Sequence, residues 1–427
     1  MSLNPTDPVF ISYRQSDGSE IAVELAWLLR AAGIPVWRDR DDLPPGDTEK
    51  RLVQAMDAGL SGAVLVITPE VAESEIVRFT ESPRLIQIHS EQPQFVLGIA
   101  NGIEREPGRL DYKAPDRVLA KPAGTLSGVD QSATDREGLI ELVGRLVFHR
   151  IAAQREMNAS GDTFSISLQT RNTPQVYDRT GSELDIRVRP SIHERLPSVP
   201  GLTDFADVLR FLPDAVTRSS ATRVQISGGA HLSVAFALGA ALPSSRVGDL
   251  EVVDQSGEKW VGAGEATLPH PAYLKIRDSG ANPAHKSDGR PKVAVYLDLL
   301  SMESGAAFDR YLGERGESLS AWRHLRPVSD ELLDPGVAGA LAAEAAYHLR
   351  EVSASNANAE VHVMLRCPFA IAVLVARLCN TLRITAYEWD DSDPSEEDND
   401  YRPRYVPTLK IRPSAPNGVV DQVIASH

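Results

Sequence analysis

FISYRQSD at residues 10–17 and WRDRDDLPPGD at 37–47 decide how the N-terminal part of this chain is read. VFISY is a short apolar run, read as a buried strand that empties into a polar loop at its carboxyl end. Ile21, Leu25, Leu28, Leu29 and Ala32 then recur at helical spacing and stop at Gly33. IPVW is a second strand. The loop RDRDDLPPGD that follows is too polar and too rich in Pro and Gly for regular structure, and a plain connection would need neither its length nor its charge. Leu52, Ala55 and Met56 mark a second helix, and GAVLVIT is a third strand. Thr68-Pro69 opens a third helix, with a capping residue followed by Pro at the first helical position. FVLGIA at 95–100 is a fourth strand, and Leu139, Leu142, Val143, Leu146, Val147 and Ile151 form a closing amphipathic helix. Such alternation predicts a parallel, doubly wound sheet.

Residues 154–163 are polar and small and read as a linker. Beyond them TRVQIS is a strand that runs through Gly228-Gly229 into the apolar helix HLSVAFALGAAL. KVAVYLDLL is another strand, Asp334 to Glu351 is Ala-rich and helical, and VHVMLRCPFAIAVLVARLCN repeats strand, turn and helix. RITAYEW and VPTLKI are further strands, separated by the acidic tract DDSDPSEEDND, which reads as a solvated loop. The units at 223–242 and 361–380 share one layout, which suggests duplication of an α/β half. The paired glycines also offer exposed amides at a helix N-terminus, readable as a tight structural turn or as an anion site.

At 427 residues the chain is longer than one ordinary domain. Hydrophobic residues make up 42% and charged residues 24%, enough for proper cores under an ordinary surface. No apolar run reaches the roughly 18 residues of a spanning helix, and MSLNPTDPVF lacks the order of a secretory leader. The two cysteines, Cys367 and Cys379, have no partners at metal-ligand spacing, so no metal is expected and a reducing cytoplasm is the expected compartment. A net charge of −15 speaks against a generic DNA or RNA binder, which needs a positive surface. It is compatible with a small anion held by amides and one or two arginines.

FISYRQSD and WRDRDDLPPGD, in this order and alternation, resemble the first and second boxes and the BB loop of the TIR domain family over residues 8–150. TIR domains divide into signalling adaptors and NAD+-cleaving enzymes, and the enzymes carry a glutamate on the helix after the third strand. That helix here reads PEVAESEIVRFTESPRL, in which Ser74 and Glu81 are two turns apart on one face and Pro83 ends the helix. The family pattern has an aromatic two residues after the serine. Here Ile76 stands in that place, and the spacing to the acid is stretched by one residue. The resemblance implies Glu81 as the catalytic residue, with Glu75 and Glu73 as the competing acids. Loss of nicotinamide passes through a cationic, oxocarbenium-like ribose that a carboxylate stabilises. Tyr13 or Trp37 could offer a stacking face, although Trp37 is equally readable as core. Arg14, Arg38 or Arg40 could hold the pyrophosphate, and Asp41 and Ser74 complete the expected NAD+ site.

Residues 164–427 resemble a SAVED domain, through SGGAHLSVAFALGAAL, KVAVYLDLL and LRCPFAIAVLVARL. That family is built of two CARF-like, Rossmann-like halves and senses cyclic oligonucleotides in bacterial anti-phage (CBASS) systems, fused to effectors such as TIR. The resemblance implies a ligand cleft lined by Ser227, Gly228, Gly229, His231, Arg366, Cys367 and Pro368, with Trp389 or Tyr296 stacking on a base. The expected architecture is α/β: a flavodoxin-like parallel-sheet TIR domain at 1–153, a linker at 154–163 and a SAVED domain at 164–427. The expected function is a cytoplasmic NAD+ hydrolase with no cofactor. NAD+ is its substrate, a cyclic oligonucleotide (cyclic tri-adenylate by family) its activator, and head-to-tail self-association into filaments its switch. No membrane partner is expected. A non-catalytic TIR scaffold is the alternative, a cyclic-nucleotide-degrading C-terminal half is a third reading, and a cyclised ADP-ribose product is a variant of the first.

Overall fold

The computed structural model describes residues 4–37, 59–157, 163–171, 181–191, 195–282, 289–391 and 403–424. The helix expected around Leu52, Ala55 and Met56 and most of the acidic tract lie outside these. Packing divides the chain into two compact units, and the division differs from a cut at 153 and 164. Residues up to Ser167 form the first unit together with 181–188 and Asp214–Ala221, and nearly all the rest forms the second. The expected linker is shorter than ten residues, because a helix runs to Met157 and a strand starts at Thr163.

In the first unit β1 (Val9–Ser12) leads into α1 (Gln15–Ala31) and β2 (Val36–Trp37). There follow β3 (Gly62–Ile67), α2 (Ser82–Glu91), β4 (Val96–Asn101), β5 (Asp130–Ala133) and α3 (Arg136–Met157). The strands lie in the order β2-β1-β3-β4-β5, and every pair is parallel. That is the flavodoxin-like order. All six residues of β3 are buried, as a central strand covered on both faces requires. Gly33 ends α1 with φ +88°, a region an L side chain resists.

The segment between β3 and β4 departs from the expected single helix. Thr68 makes no side-chain cap, and Pro69–Glu73 is a 3₁₀ turn. Ser74 is extended, Ile76–Glu81 is a π-helical turn with the Ser82 N–H on the Val77 carbonyl, and α2 follows. Pro83 therefore begins a helix rather than ending one. In the first turn of α2 its missing N–H costs nothing, and the wider turn before it relieves the clash its ring would make four residues back. A π turn is one residue inserted into a helix, so Ser74, extended, and Glu81, in the π turn, are not two regular α-helical turns apart.

In the second unit β6 (Arg223–Gly229) enters α4 (Leu232–Ala241), followed by β7 (Asp249–Val253) and β8 (Lys259–Val261). β6 and β7 pair in parallel, and β8 is antiparallel to β7. Next come β9 (Leu274–Ala281), β10 (Lys292–Asp298), β11 (Ala321–Pro327), α5 (Ala338–Ser355) and β12 (Glu360–Arg366). The chain closes with α6 (Phe369–Ala376), β13 (Ile384–Asp390), β14 (Arg404–Ile411) and β15 (Val420–Val423). These strands form one sheet, β9-β11-β10-β12-β13-β14-β15. Four of its five inner members, β11, β10, β12 and β13, are parallel, and the fifth, β14, is antiparallel to both neighbours. The two strand-turn-helix units expected from the sequence are thus β6-α4 and β12-α6. Residues Ser233–Ala241 and Ala370–Ala376 are buried throughout, as in helices enclosed on all sides. The two helices touch backbone to backbone: a Cβ on Gly239 would collide with the Val373 carbonyl. Gly239→Val is therefore expected to lower the unfolding free energy by about 1–3 kcal/mol. A urea midpoint equal to that of the unmutated protein would show that the helices do not meet there.

Candidate functional site

In the first unit the sheet presents Ser12 at the carboxyl end of β1, beside the β1/β3 point where the strand order reverses and ligands bind in such sheets. Ser12 Oγ donates to Glu81 Oε2 at 2.5 Å, and both residues are buried, at 1% and 6% exposure. The other two acids lie elsewhere. Glu73 Oε2 accepts from Arg14 Nη1 at 2.9 Å on an exposed edge, and Glu75 is exposed. Among these three, Glu81 alone is brought to the strand end.

The remaining expected NAD+ residues fare unevenly. Arg14 spends its guanidinium on the Glu70 carbonyl and the Glu73 carboxylate. Ser74 Oγ accepts the Val77 N–H at 3.4 Å and so caps the π turn. Trp37 is buried against Phe10, ring centroids 5.7 Å apart, which makes it core rather than a stacking platform. Tyr13 is buried beside Gly18. Arg38, Arg40 and Asp41 lie outside the described residues.

The second unit holds a cleft of about 740 Å³. One wall is the entry to α4, with Gly228, Gly229, Ala230 and Leu232. Another is the entry to α6, with Cys367, Pro368, Phe369 and Ala370. Two helix N-termini thus open onto one cavity, each presenting backbone N–H groups and a partial positive charge. Arg171 and Gln169 come from an earlier segment, and Val252, Asp254, Gln255 and Trp260 come from β7 and β8 and the turn between them. Gly228 has φ +117°, and a Cβ there would strike the Leu168 carbonyl, so only glycine fits. Asp254 is held below the usual carboxylate range, first by the Trp260 indole N–H on its Oδ2 at 3.0 Å.

Gly228, Gly229, Cys367 and Pro368 line this cleft, and the five other residues named from the sequence do not. His231 is fully buried, its Nδ1 2.7 Å from Thr170 Oγ1. Ser227, one residue before Gly228 on β6, stops short of the cleft lining. The Arg366 guanidinium donates to Asp298 Oδ1 at 2.6 Å and to the Met302 carbonyl. Trp389 alternates with Glu388, whose side chain reaches α4, so its ring faces away from that helix. Tyr296 is 1% exposed in an aromatic core with Phe308 and Tyr405. Burial pushes the Cys367 thiol up to about 12, too high for a nucleophile at neutral pH. Among the described residues no cluster of His, Cys, Asp or Glu could hold a metal ion. No helix among them is long and apolar enough to cross a membrane.

One residue behind the cleft escaped the sequence reading. Glu388 is 4% exposed, and its Oε1 accepts the Ser233 N–H at 2.5 Å in the first turn of α4. Burial pushes its carboxyl up to about 7, against the opposing pull of Ser233 and Arg171.

The strand order of the first unit and the paired helix ends of the second define a flavodoxin-like α/β domain joined to a second α/β domain. Comparison with known proteins gives both their families. The TIR domain model matches residues 9–98, and the model of the SMODS-associated sensor domain fused to various effectors, SAVED, matches 206–411. This chain is a TIR domain fused to a SAVED domain. Among solved structures it is similar to the Acinetobacter baumannii Cap4 SAVED/CARF-domain containing receptor with the cyclic trinucleotide 2'3'3'-cAAA. Identity is 13%, with 93% of this chain and 99% of that one covered, at a TM-score of 0.45. It is also similar to the Moraxella osloensis Cap4 receptor, at 13% identity, 92% and 98% coverage and a TM-score of 0.39. No curated protein matches the chain.

Glu388 makes stability depend on pH. Its carboxyl is raised from 4.5 to about 7 in the folded protein. As pH rises above 4.5 the unfolded chain loses this proton while the folded chain keeps it, so the contribution falls until about pH 7 and is flat beyond. Glu388→Gln is expected to remove a decline of roughly 3 kcal/mol across that window. Urea melts of both proteins at pH 5, 6 and 8 test this, and parallel curves would count against it.

Proposed function

We propose that this chain is a cyclic-oligonucleotide-activated NAD+ hydrolase that releases nicotinamide. In this reading it is an anti-phage effector of the CBASS type that depletes NAD+ after ligand-induced self-association. The observation that carries the reading is one buried carboxylate, Glu81, on the Ser12 hydroxyl at the carboxyl end of β1, in a chain whose other domain opens two helix N-termini onto one cleft.

The chemistry asks little else of the protein. The glycosidic carbon–nitrogen bond breaks, and its electron pair returns to the pyridinium ring, so nicotinamide leaves neutral. Water then adds to the cationic ribose carbon and gives its proton to solvent. A carboxylate beside the ribose diol orients it and stabilises the positive charge. At 6% exposure and already engaged by Ser12, Glu81 must be uncovered before it can do this. Activation by assembly supplies that step if ligand binds the assembled state better than the free one. Cyclic tri-adenylate is the activator we propose, held by the amides at the starts of α4 and α6 and by Arg171.

Cleavage of a fluorogenic NAD+ analogue by the purified chain, with a panel of cyclic di-, tri- and tetranucleotides, tests the reading. Turnover is expected with one ligand, unchanged in Glu75→Gln and lowered about a hundredfold or more in Glu81→Gln. Binding without turnover would favour the scaffold. At saturating ligand the specific activity is expected to rise with protein concentration, and a value constant on dilution would remove self-association from the scheme.

A further inference from the structure

The protein's own acid already occupies one of the helix ends that would receive a ligand. Glu388 lies on β13 with its Oε1 on the Ser233 N–H, inside the first turn of α4. Gly228, Gly229, Ala230 and Leu232, just ahead of that hydrogen bond, line the cleft. The other charged and titratable groups on this face are few. Arg171, also in the cleft, favours the charged form of Glu388 through space. Cys367, at the end of β12, feels the Glu388 charge and stays a thiol. His231 turns its ring to Thr170. Asp390, on the same face of β13, is tied to Arg404 of β14 at 3.0 Å. The sequence of α4, LSVAFALGAA, has no charged side chain.

Taking the cleft as the anionic-ligand site proposed above, we infer that an incoming phosphate and the Glu388 carboxylate compete for the N-terminus of α4, so that ligand binding drives a proton onto Glu388. Two effects act in the same direction. The phosphate places negative charge near a buried carboxylate, where screening is weak. Its contact with Arg171 also neutralises the cation that favours ionised Glu388. The proton comes from solvent and bonds to one carboxyl oxygen, while the other still accepts the Ser233 N–H. With a resting value of about 7, both forms are present at neutral pH, so a modest push moves a measurable fraction.

Isothermal titration of cyclic tri-adenylate into the full chain, in buffers of different ionisation enthalpy at pH 7, reads the proton directly. Uptake of roughly half a proton per ligand is expected, with affinity falling by up to about tenfold per pH unit above neutrality. Glu388→Gln is expected to bind with heats independent of buffer and with affinity flat in pH. The infrared difference spectrum of the unmutated protein on binding is expected to gain a protonated-carboxyl band, a readout that needs no variant. Heats identical in every buffer, or uptake that persists in Glu388→Gln, would overturn the inference while leaving the cleft as the ligand site. If no cyclic nucleotide binds the unmutated chain, the reading of the cleft falls and the inference with it.

Discussion

Two helices can lie backbone to backbone only where one of them has no side chain in the way, and Gly239 against the Val373 carbonyl is such a place. The sensor cleft depends on that contact. It holds α4 and α6 close enough for both first turns to open onto one cavity, and both helices are buried throughout. Strand-turn-helix units supply the rest, because each parallel strand delivers its chain to a helix N-terminus at the same edge of its sheet. Gly228 completes the geometry by letting the backbone pass Leu168 at φ +117°.

How much of this was legible in the sequence follows from where the information lies. β1, β3 and β4 of the effector domain were readable because each is a short apolar run between polar turns, and α1 because its apolar face stops at Gly33. β6-α4 and β12-α6 were readable for the same reason. The segment 69–82 was not, since local spacing counts residues per turn and cannot show that the turn widens ahead of Pro83. In the cleft, the residues on the two helix entries were legible. Arg171, Asp254 and Trp260 were not, because only the tertiary fold brings remote segments beside Gly228. Arg366 and His231 looked like ligand residues from their place in the motif, yet Asp298 and Thr170 hold them by contacts no local pattern reveals.

Buried carboxylates in this chain are treated in different ways, and the difference separates structure from site. Burial opposes the charge of Asp298, but nearby His324 and hydrogen bonds from the Ser304 N–H, Arg366 and Arg326 keep it below its usual range, so it remains a fixed anion that ties down the loop after β10. Glu344 accepts the N–H groups of Tyr273 and Leu274, and burial still raises it. Glu388 has the Ser233 N–H and a cation acting through space, and it is left near neutrality. A fully compensated acid is a strut. An acid compensated only in part, next to a cavity framed by helix ends, can still respond to a charge placed in that cavity.

An overall charge of −15 is compatible with the anion site proposed for the cleft. Helix-end amides act within about a turn of the terminus, whereas clustered lysines and arginines project over a Debye length. A cleft that relies on Gly229, Leu232, Phe369 and Ala370, with Arg171 beside them, can hold a compact polyanion that enters and aligns its phosphates with the N–H groups. A duplex instead needs a positive face along which to lie, and a net charge of −15 works against one. Asp254, kept ionised by Trp260 and its own turn, adds a repulsive element inside the cleft, so a phosphate is favoured at the helix ends and disfavoured beside the β7–β8 turn.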